Sequence, residues 1–245
     1  MNEHDRAAPV PAAYRGVWRR TLLEGGGLLT DTSSMVLWLQ TARWHADLRL
    51  PPGRPAFAGV HDVTGCSPAQ RIWLARQQGF SGVTEVLADQ CQWHHDLDFH
   101  GDTKHRDIGT MIFHADGSTV EEYGVDAAYH ETWQRLPESI GPSAVWCSGA
   151  SPQSRLLVAG DCFFLVRPSI RPSTMSTHRA AKALAMPDYP ELSYGRISGA
   201  ARPWRIDHST LPWREGRSLD EETWHCLDAE AGAAAPPRVA TGFCR

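Results

Sequence analysis

The greatest density of residues able to do chemistry lies between Cys91 and Asp107, in the stretch CQWHHDLDFHGDTKHRD. Its first part, Cys91 to His100, has the alternation of a β-strand, which places successive side chains on opposite faces. The largely apolar face comprises Cys91, Trp93, His95, Leu97 and Phe99, and the polar face comprises Gln92, His94, Asp96, Asp98 and His100. A row of imidazoles and carboxylates can move protons if it lines a polar cavity, and has no specific role if it faces solvent.

A second strand, Arg43 to Leu50, sorts its residues in the same way. His45, Asp47 and Arg49 lie on one face, and Trp44, Ala46, Leu48 and Leu50 lie on the other. If the polar faces of both strands point into one barrel, buried carboxylates need cationic partners, because an unpaired buried charge is too costly. The opposite arrangement, with the apolar faces inward and the polar faces in solvent, stays open.

The polar-lumen interpretation assigns a role to each of these side chains. Arg49 holds an anionic or carbonyl group, Asp47 orients it, and His94 or Asp98 moves the proton. The predicted catalytic residues are therefore His94 and Asp98, and the predicted ligand-binding residues are His45, Asp47, Arg49, Trp38, Trp93 and Tyr123.

A metal site is not predicted from the histidine row. Side chains on one face of a strand recur about every 6.6 Å, so His94 and His100 lie about 20 Å apart and cannot share one ion. A neighbouring pair such as His94 and Asp96 needs a third ligand from another strand, for example His45 or Asp47. We therefore predict no cofactor, and keep a transition metal, or a heme held by one of the 12 histidines, as alternatives.

The composition excludes several classes of partner. The formal net charge is −4 and no Lys/Arg-rich run occurs, which argues against a nucleic-acid partner. No apolar run approaches the roughly 20 residues of a membrane span, and the first residues lack the hydrophobic segment of a secretory signal. We therefore expect a cytoplasmic protein whose six cysteines, none in a CxxC pair, are buried free thiols. A homodimer stays open.

Short strand-like segments separated by turns recur along the chain, and Ser67 to Gln78 is the best helix candidate in its first half. The ordered segments YRGVWRR, VLWLQT, HADLRLP, FSGVTEV, CQWHHDLDF and DIGTM make residues 14–136 resemble a little-characterised family of lipocalin-like proteins of bacteria and fungi. The likeness continues more weakly through LLVAGDCFFLVR. The resemblance implies two β-barrel halves of the calycin type and a lumen for a small molecule, but no catalytic residues.

We accordingly predict an all-β protein of two lipocalin-like antiparallel barrels or half-barrels with short accessory helices. The predicted domains are 14–137 and 142–230, with flexible tails at 1–13 and 231–245. The predicted function is small-molecule binding in the first barrel, with cofactor-free acid–base catalysis of the isomerase, cyclase or lyase type as its chemistry. A non-catalytic interaction scaffold is the second alternative, and it predicts a lumen without a cavity of about 300 Å³.

Overall fold

The computed structural model describes residues 8–25, 29–104, 106–169, 188–198, 204–220, 222–237 and 239. Strands dominate these residues, as predicted from the recurring alternation. The first sheet comprises β1 (Gly16–Gly25), β2 (Leu29–Asp31), β3 (Met35–Gln40), β4 (Trp44–Leu50), β5 (Gln78–Leu87), β6 (Gln90–Asp98), β7 (Asp107–Phe113), β8 (Thr119–Gly124) and β9 (Tyr129–Arg135). The second sheet comprises β10 (Ser143–Ser148), β11 (Arg155–Ala159), β12 (Cys162–Arg167), β13 (Glu191–Ile197), β14 (Trp204–Ser209) and β15 (Trp224–Ala229).

The first sheet closes on itself to form a barrel. Its strands pair in the order β2-β1-β3-β4-β5-β6-β7-β8-β9, and β1 also pairs with β9. All of these pairings are antiparallel, and Trp18 lies opposite Arg135 across the closing seam. Eight strands give a barrel just wide enough to be filled by side chains or to hold one small ligand. The predicted antiparallel barrel is confirmed for this half.

One end of the barrel is plugged by the residues that lead into β1. Val10 and Tyr14 are buried against the lumen, and residues Ala12–Tyr14 form a 3-10 helix. The Val10 amide donates to the carbonyl of Ala42 at 2.7 Å. The Trp18 indole donates to the Tyr14 carbonyl at 2.7 Å, and the guanidinium of Arg135 lies 4.5 Å from the Trp18 ring centre. The lumen is thus accessible from the opposite end of the barrel.

The second sheet is open and packs against the outside of the barrel. Its order is β14-β13-β12-β11-β10-β15, and within the described ranges its two edge strands do not pair with each other. The half-barrel alternative therefore describes it. One face shares a core with the outer surfaces of β3 and β4, where Leu39 and Leu48 meet Leu157 and Phe164. The other face has its own apolar core around Phe163 and Trp224.

The predicted helix is confirmed as α1 (Pro68–Ala75), which Ser67 begins with a capping box to Gln70. Further 3-10 helices span Val63–Gly65, Pro137–Ser139 and Pro212–Arg214. No helix in the described ranges is long and apolar enough to cross a membrane.

The cysteine prediction is only partly correct. Cys66, Cys91, Cys147 and Cys162 are free thiols. Cys226 is disulfide-bonded, contrary to expectation. The absence of a CxxC pair does not exclude a bridge between cysteines that are distant along the chain.

Candidate functional site

A cavity of about 590 Å³ opens at the unplugged end of the barrel; we call it the lumen cavity. The end of β4 and the beginnings of β5, β7 and β9 meet around it, as antiparallel pairing requires. Its inner wall is polar and includes Arg20, Arg49, His95, Glu122, Tyr129 and Glu131. Below it lies a much smaller space of about 10 Å³, the inner chamber, which is bounded by Trp38, Asp47, Arg49, Phe80, Trp93, Asp107, Glu122 and Trp133.

Strand β4 directs its polar face into the barrel. Leu48 on the opposite face contributes to the core shared with the second sheet, so Asp47 and Arg49 must face the lumen. Arg49 Nε donates to Asp47 Oδ1 at 2.7 Å, and the guanidinium carbon lies 5.0 Å from the centre of the Phe80 ring. Burial raises the pKa of Asp47, and the charge of Arg49 opposes that rise. The predicted polar lumen is therefore present along β4.

A second arginine is fully engaged within the wall. Arg20 on β1 donates to Glu131 at 2.6 Å through one terminal nitrogen and to Asp31 at 2.8 Å through the other. Only about 7% of the Arg20 side chain and 5% of the Glu131 side chain are accessible to solvent. These distances give Arg20 a structural role between β1, β2 and β9, because both ends of its guanidinium fork are occupied.

Strand β8 contributes Glu122, a buried carboxyl group that was not among the predicted site residues. The Tyr129 hydroxyl donates to Glu122 Oε1 at 2.7 Å, and Trp133 Nε1 donates to Oε2 at 3.1 Å. Burial and the neighbouring charge of Glu131 raise the pKa of Glu122 to about 8. Glu122 therefore binds a proton at neutral pH although it lines a cavity that opens to solvent.

Strand β6 carries His95 at the wall of the cavity. Its imidazole stacks on Phe80 with ring centres 4.0 Å apart, and its Nε2 and Nδ1 lie 3.3 Å from Asp107 and 3.6 Å from Asp98. Burial opposes a charge on the ring, but the hydrogen bond to Asp107 and the adjacent carboxylate of Asp98 outweigh burial and raise the pKa of His95 to about 9. His95 is thus a cation between two carboxylates at neutral pH.

A β-bulge at Asp96 changes which residues of β6 face inward. Gly82 pairs with His95 and Ser81 pairs with Leu97, so Asp96 is the extra residue. Before the bulge His94 points outward, whereas beyond it Asp98 reaches the lumen cavity. The prediction that His94, Asp96, Asp98 and His100 share one face is therefore wrong. His105, from the same segment, lies outside the described residues.

The floor of the lumen is aromatic. Trp38 makes edge-to-face contacts with Trp93 and Trp133, with ring centres 5.6 Å and 5.9 Å apart, and it stacks on Trp18 at 6.2 Å.

His45 is fully buried and its Nδ1 lies 3.0 Å from the Thr84 hydroxyl. Burial, followed by the nearby His95 and His94, lowers the pKa of His45 well below its usual range. His45 is therefore a neutral imidazole and does not line the lumen cavity.

The structure separates the predicted site residues other than His45 into two groups. Asp47, Arg49, Trp38 and Trp93 meet around the inner chamber, and Asp98 reaches the cavity above it. His94 and Tyr123 lie outside the barrel: His94 faces Glu85 at 3.4 Å, and Tyr123 is 41% exposed and stacks on His130. The prediction that Tyr123 shapes the pocket is wrong, because its neighbour Glu122 occupies the inward position of β8.

Among the described residues, no group of three or more His, Cys, Asp or Glu side chains is arranged to hold a metal ion. No family model, curated protein or solved structure matches the chain. The observed architecture, a closed eight-stranded antiparallel barrel with an accessible polar cavity, is consistent with the lipocalin-like resemblance and compatible with small-molecule binding.

Proposed function

We propose that the barrel binds a small polar molecule in the lumen cavity and that Arg49 holds an oxygen atom of this ligand. The observation that carries the proposal is the unequal use of the Arg49 guanidinium. Its Nε is fixed by Asp47, while no described residue accepts a hydrogen bond from Nη1 or Nη2. Arginine presents its donors in a rigid fork that suits carbonyl, carboxylate or phosphoryl oxygens.

The remaining wall indicates what else the ligand carries. Besides the neutral Glu122, five acidic side chains line the cavity beside three arginines and the charged His95, so the wall carries no excess of positive charge: Asp31, Asp98, Asp102, Asp107 and Glu131 accompany Arg20, Arg49 and Arg76. A highly charged anion is poorly matched to such a wall. A neutral or zwitterionic molecule that offers an acceptor oxygen to Arg49 and donors to the carboxylates fits better.

Any chemistry on such a ligand would be cofactor-free proton transfer, as in an isomerase, cyclase or lyase. Asp98 keeps its predicted place in this proposal, and His95 replaces His94 because it lines the cavity. Burial opposes ionisation of Asp98, but the adjacent His95 and the hydrogen bonds from the Asp102 and His100 amides hold the pKa of Asp98 below its usual range. Asp98 is then the base and His95 the acid of the pair.

The size of the lumen cavity weighs against the scaffold alternative. That alternative predicted no cavity of about 300 Å³, whereas the cavity measures about 590 Å³.

Native mass spectrometry of the purified protein tests the proposal. We expect a mass excess over the denatured chain in the parent protein and in the Arg54→Gln control, whose arginine pairs with Glu215 away from the lumen. Arg49→Gln should lose the excess. If the purified protein carries no ligand, the same spectra are recorded with added glucose, serine or acetate as neutral, zwitterionic and anionic probes. An excess retained in Arg49→Gln would contradict the proposal, and one matching heme or a metal ion would favour those alternatives.

A further inference from the structure

Glu122 and Glu131 are two buried carboxyl groups in very different surroundings. They lie directly opposite each other on β8 and β9, and both face the lumen. Glu131 receives a charged hydrogen bond from Arg20 at 2.6 Å. The hydrogen bonds to Glu122 from described residues come only from the neutral donors Tyr129 and Trp133. Two adjacent buried carboxylates repel each other, so the one without a cationic donor is the one that keeps a proton.

The protonation state of Glu122 decides what the Tyr129 hydroxyl can do. Trp133 Nε1 is a donor only, so Oε2 must remain an acceptor in both states. When Glu122 is ionised, Oε1 accepts the Tyr129 hydrogen, and the hydroxyl is turned toward the carboxylate. When Glu122 is neutral, its own O–H can donate to the Tyr129 oxygen over the same 2.7 Å, which frees the phenolic hydrogen. Tyr129 lines the lumen cavity, so the freed hydrogen is available to a ligand.

We propose that Glu122 is held as a neutral carboxylic acid and that it converts the Tyr129 hydroxyl into a hydrogen-bond donor for an acceptor oxygen of the ligand. The inference deepens the proposed function and rests on it for the ligand's presence. Arg49 and Tyr129 together then supply donors to a carbonyl-type oxygen, the arrangement that stabilises negative charge developing on such an atom. The site thereby favours carbonyl compounds over ligands that offer only donors.

Several charged or titratable groups surround Glu122. They are Arg20 on β1, Asp47 and Arg49 on β4, Cys91 and His95 on β6, Asp107 on β7, and Tyr129 and Glu131 on β9. Burial and the charge of Glu122 raise the pKa of Tyr129, so the phenol keeps its hydrogen while the carboxyl group titrates. Burial, with the charges of Glu122 and Asp107, likewise raises the pKa of the Cys91 thiol, which stays neutral. The state with a free Tyr129 donor is therefore the low-pH state, and it is lost as the pH rises through about 8.

The indole N–H resonance of Trp133 reports directly on the carboxyl group to which it donates. We would assign it in ¹⁵N-labelled protein by its loss in Trp133→Phe and follow it from about pH 5 to about pH 10. We expect one transition with a midpoint near 8 in the parent protein. The transition should be absent in Glu122→Gln and retained in Glu121→Gln, whose carboxylate lies on the outer face of β8.

Tyr129→Phe tests the second half of the inference. Removing the hydroxyl deprives the ionised carboxylate of a donor, so the midpoint should move upward. Three results would overturn the proposal that Glu122 is a neutral acid. The Trp133 resonance would not titrate, would titrate only in the ordinary range of a glutamic acid, or would still titrate in Glu122→Gln. An unchanged midpoint in Tyr129→Phe would overturn the exchange of roles. These measurements need no ligand, so their failure is distinguishable from a failure of ligand binding at Arg49.

Discussion

The proton held by Glu122 should make the stability of the protein fall as the pH rises from about 6 to about 9. Burial and Glu131 raise the pKa of Glu122 from 4.5 to about 8 in the folded state. The folded protein therefore binds a proton that the unfolded chain has released, and this favours the folded state at low pH. For each pH unit below the folded-state pKa, the bound proton adds about 1.36 kcal/mol to the free energy of unfolding. The proton therefore contributes about 2.7 kcal/mol at pH 6 and almost nothing at pH 9.

Glu122→Gln replaces the neutral acid with a neutral amide of the same shape and removes this dependence. We would measure the free energy of unfolding by urea denaturation, followed by tryptophan fluorescence, at pH values from about 6 to about 9. The advantage of the parent protein over Glu122→Gln should shrink by about 2 to 3 kcal/mol across that range. Titration of His95 occurs in both proteins and largely cancels in the difference. Glu121→Gln should differ from the parent by a constant amount, and parallel curves for Glu122→Gln would refute the reasoning.

Three further predictions follow from the same wall and its support. The pKa of His95 is raised to about 9 in the folded state. The proton bound to His95 therefore stabilises the fold fully below pH 6.5, and this stabilisation is lost as the pH rises through 9. Urea titrations of His95→Gln should therefore show a loss that is about 3 kcal/mol larger at pH 6 than at pH 9.5, and an equal loss at both would contradict this. Gly82→Ala would place a Cβ 1.8 Å from the His94 carbonyl oxygen, whereas Gly65→Ala meets nothing within 4 Å. Thermal unfolding should show several kcal/mol of destabilisation for Gly82→Ala alone, and equal melting temperatures would argue against the bulge. Arg49→Met removes the ionic partner of the buried Asp47 carboxylate, which should destabilise the protein by about 3 to 5 kcal/mol. Adding Asp47→Asn should recover part of that stability, while ligand binding stays lost. A double variant no more stable than the single one would show that the ion pair is not the cause.

The division of β4 into a polar face and an apolar face could be predicted from its sequence because nothing interrupts its alternation. Trp44, Ala46 and Leu48 are uniformly apolar, and Asp47 and Arg49 are uniformly charged. The period of two then allows only two orientations. Alternation alone does not say which face is inward. Here the second sheet supplies the apolar partner for the outer face and leaves the polar face to the lumen.

The facing of β6 could not be predicted in the same way, because one extra residue at Asp96 reverses it. A bulge depends on how two strands pair, and pairing is not visible in either strand alone. Gly82 was the available signal, since a glycine inside a strand often marks a bulge or a close backbone approach. The partner strand comes within 1.8 Å of where a Cβ on Gly82 would lie.

Glu122 escaped prediction because the sequence Glu121-Glu122-Tyr123 favours an aromatic pocket residue over a buried acid. Inward positions of β8 alternate through Val120 and Glu122, which leaves Tyr123 on the outside. The reason a carboxyl group can occupy this position lies on the neighbouring strand. A Cβ on Gly109 would come within 2.9 Å of the Glu122 side chain, so the glycine makes room for it.

Strands β3 and β4 are covered on both faces, so we expect the two sheets to unfold together. Leu39 and Leu48 lie in one continuous core with Leu157 and Phe164 of the second sheet. Truncating the chain near residue 140 would expose this apolar surface of the barrel to solvent and promote aggregation. The second sheet thus packs against the outer face of β4, the strand that carries Asp47 and Arg49, and supports its position. Leu157 and Phe164 lie far along the chain from the residues of the lumen. Substitutions at either position should weaken ligand binding indirectly, without a contact to the ligand.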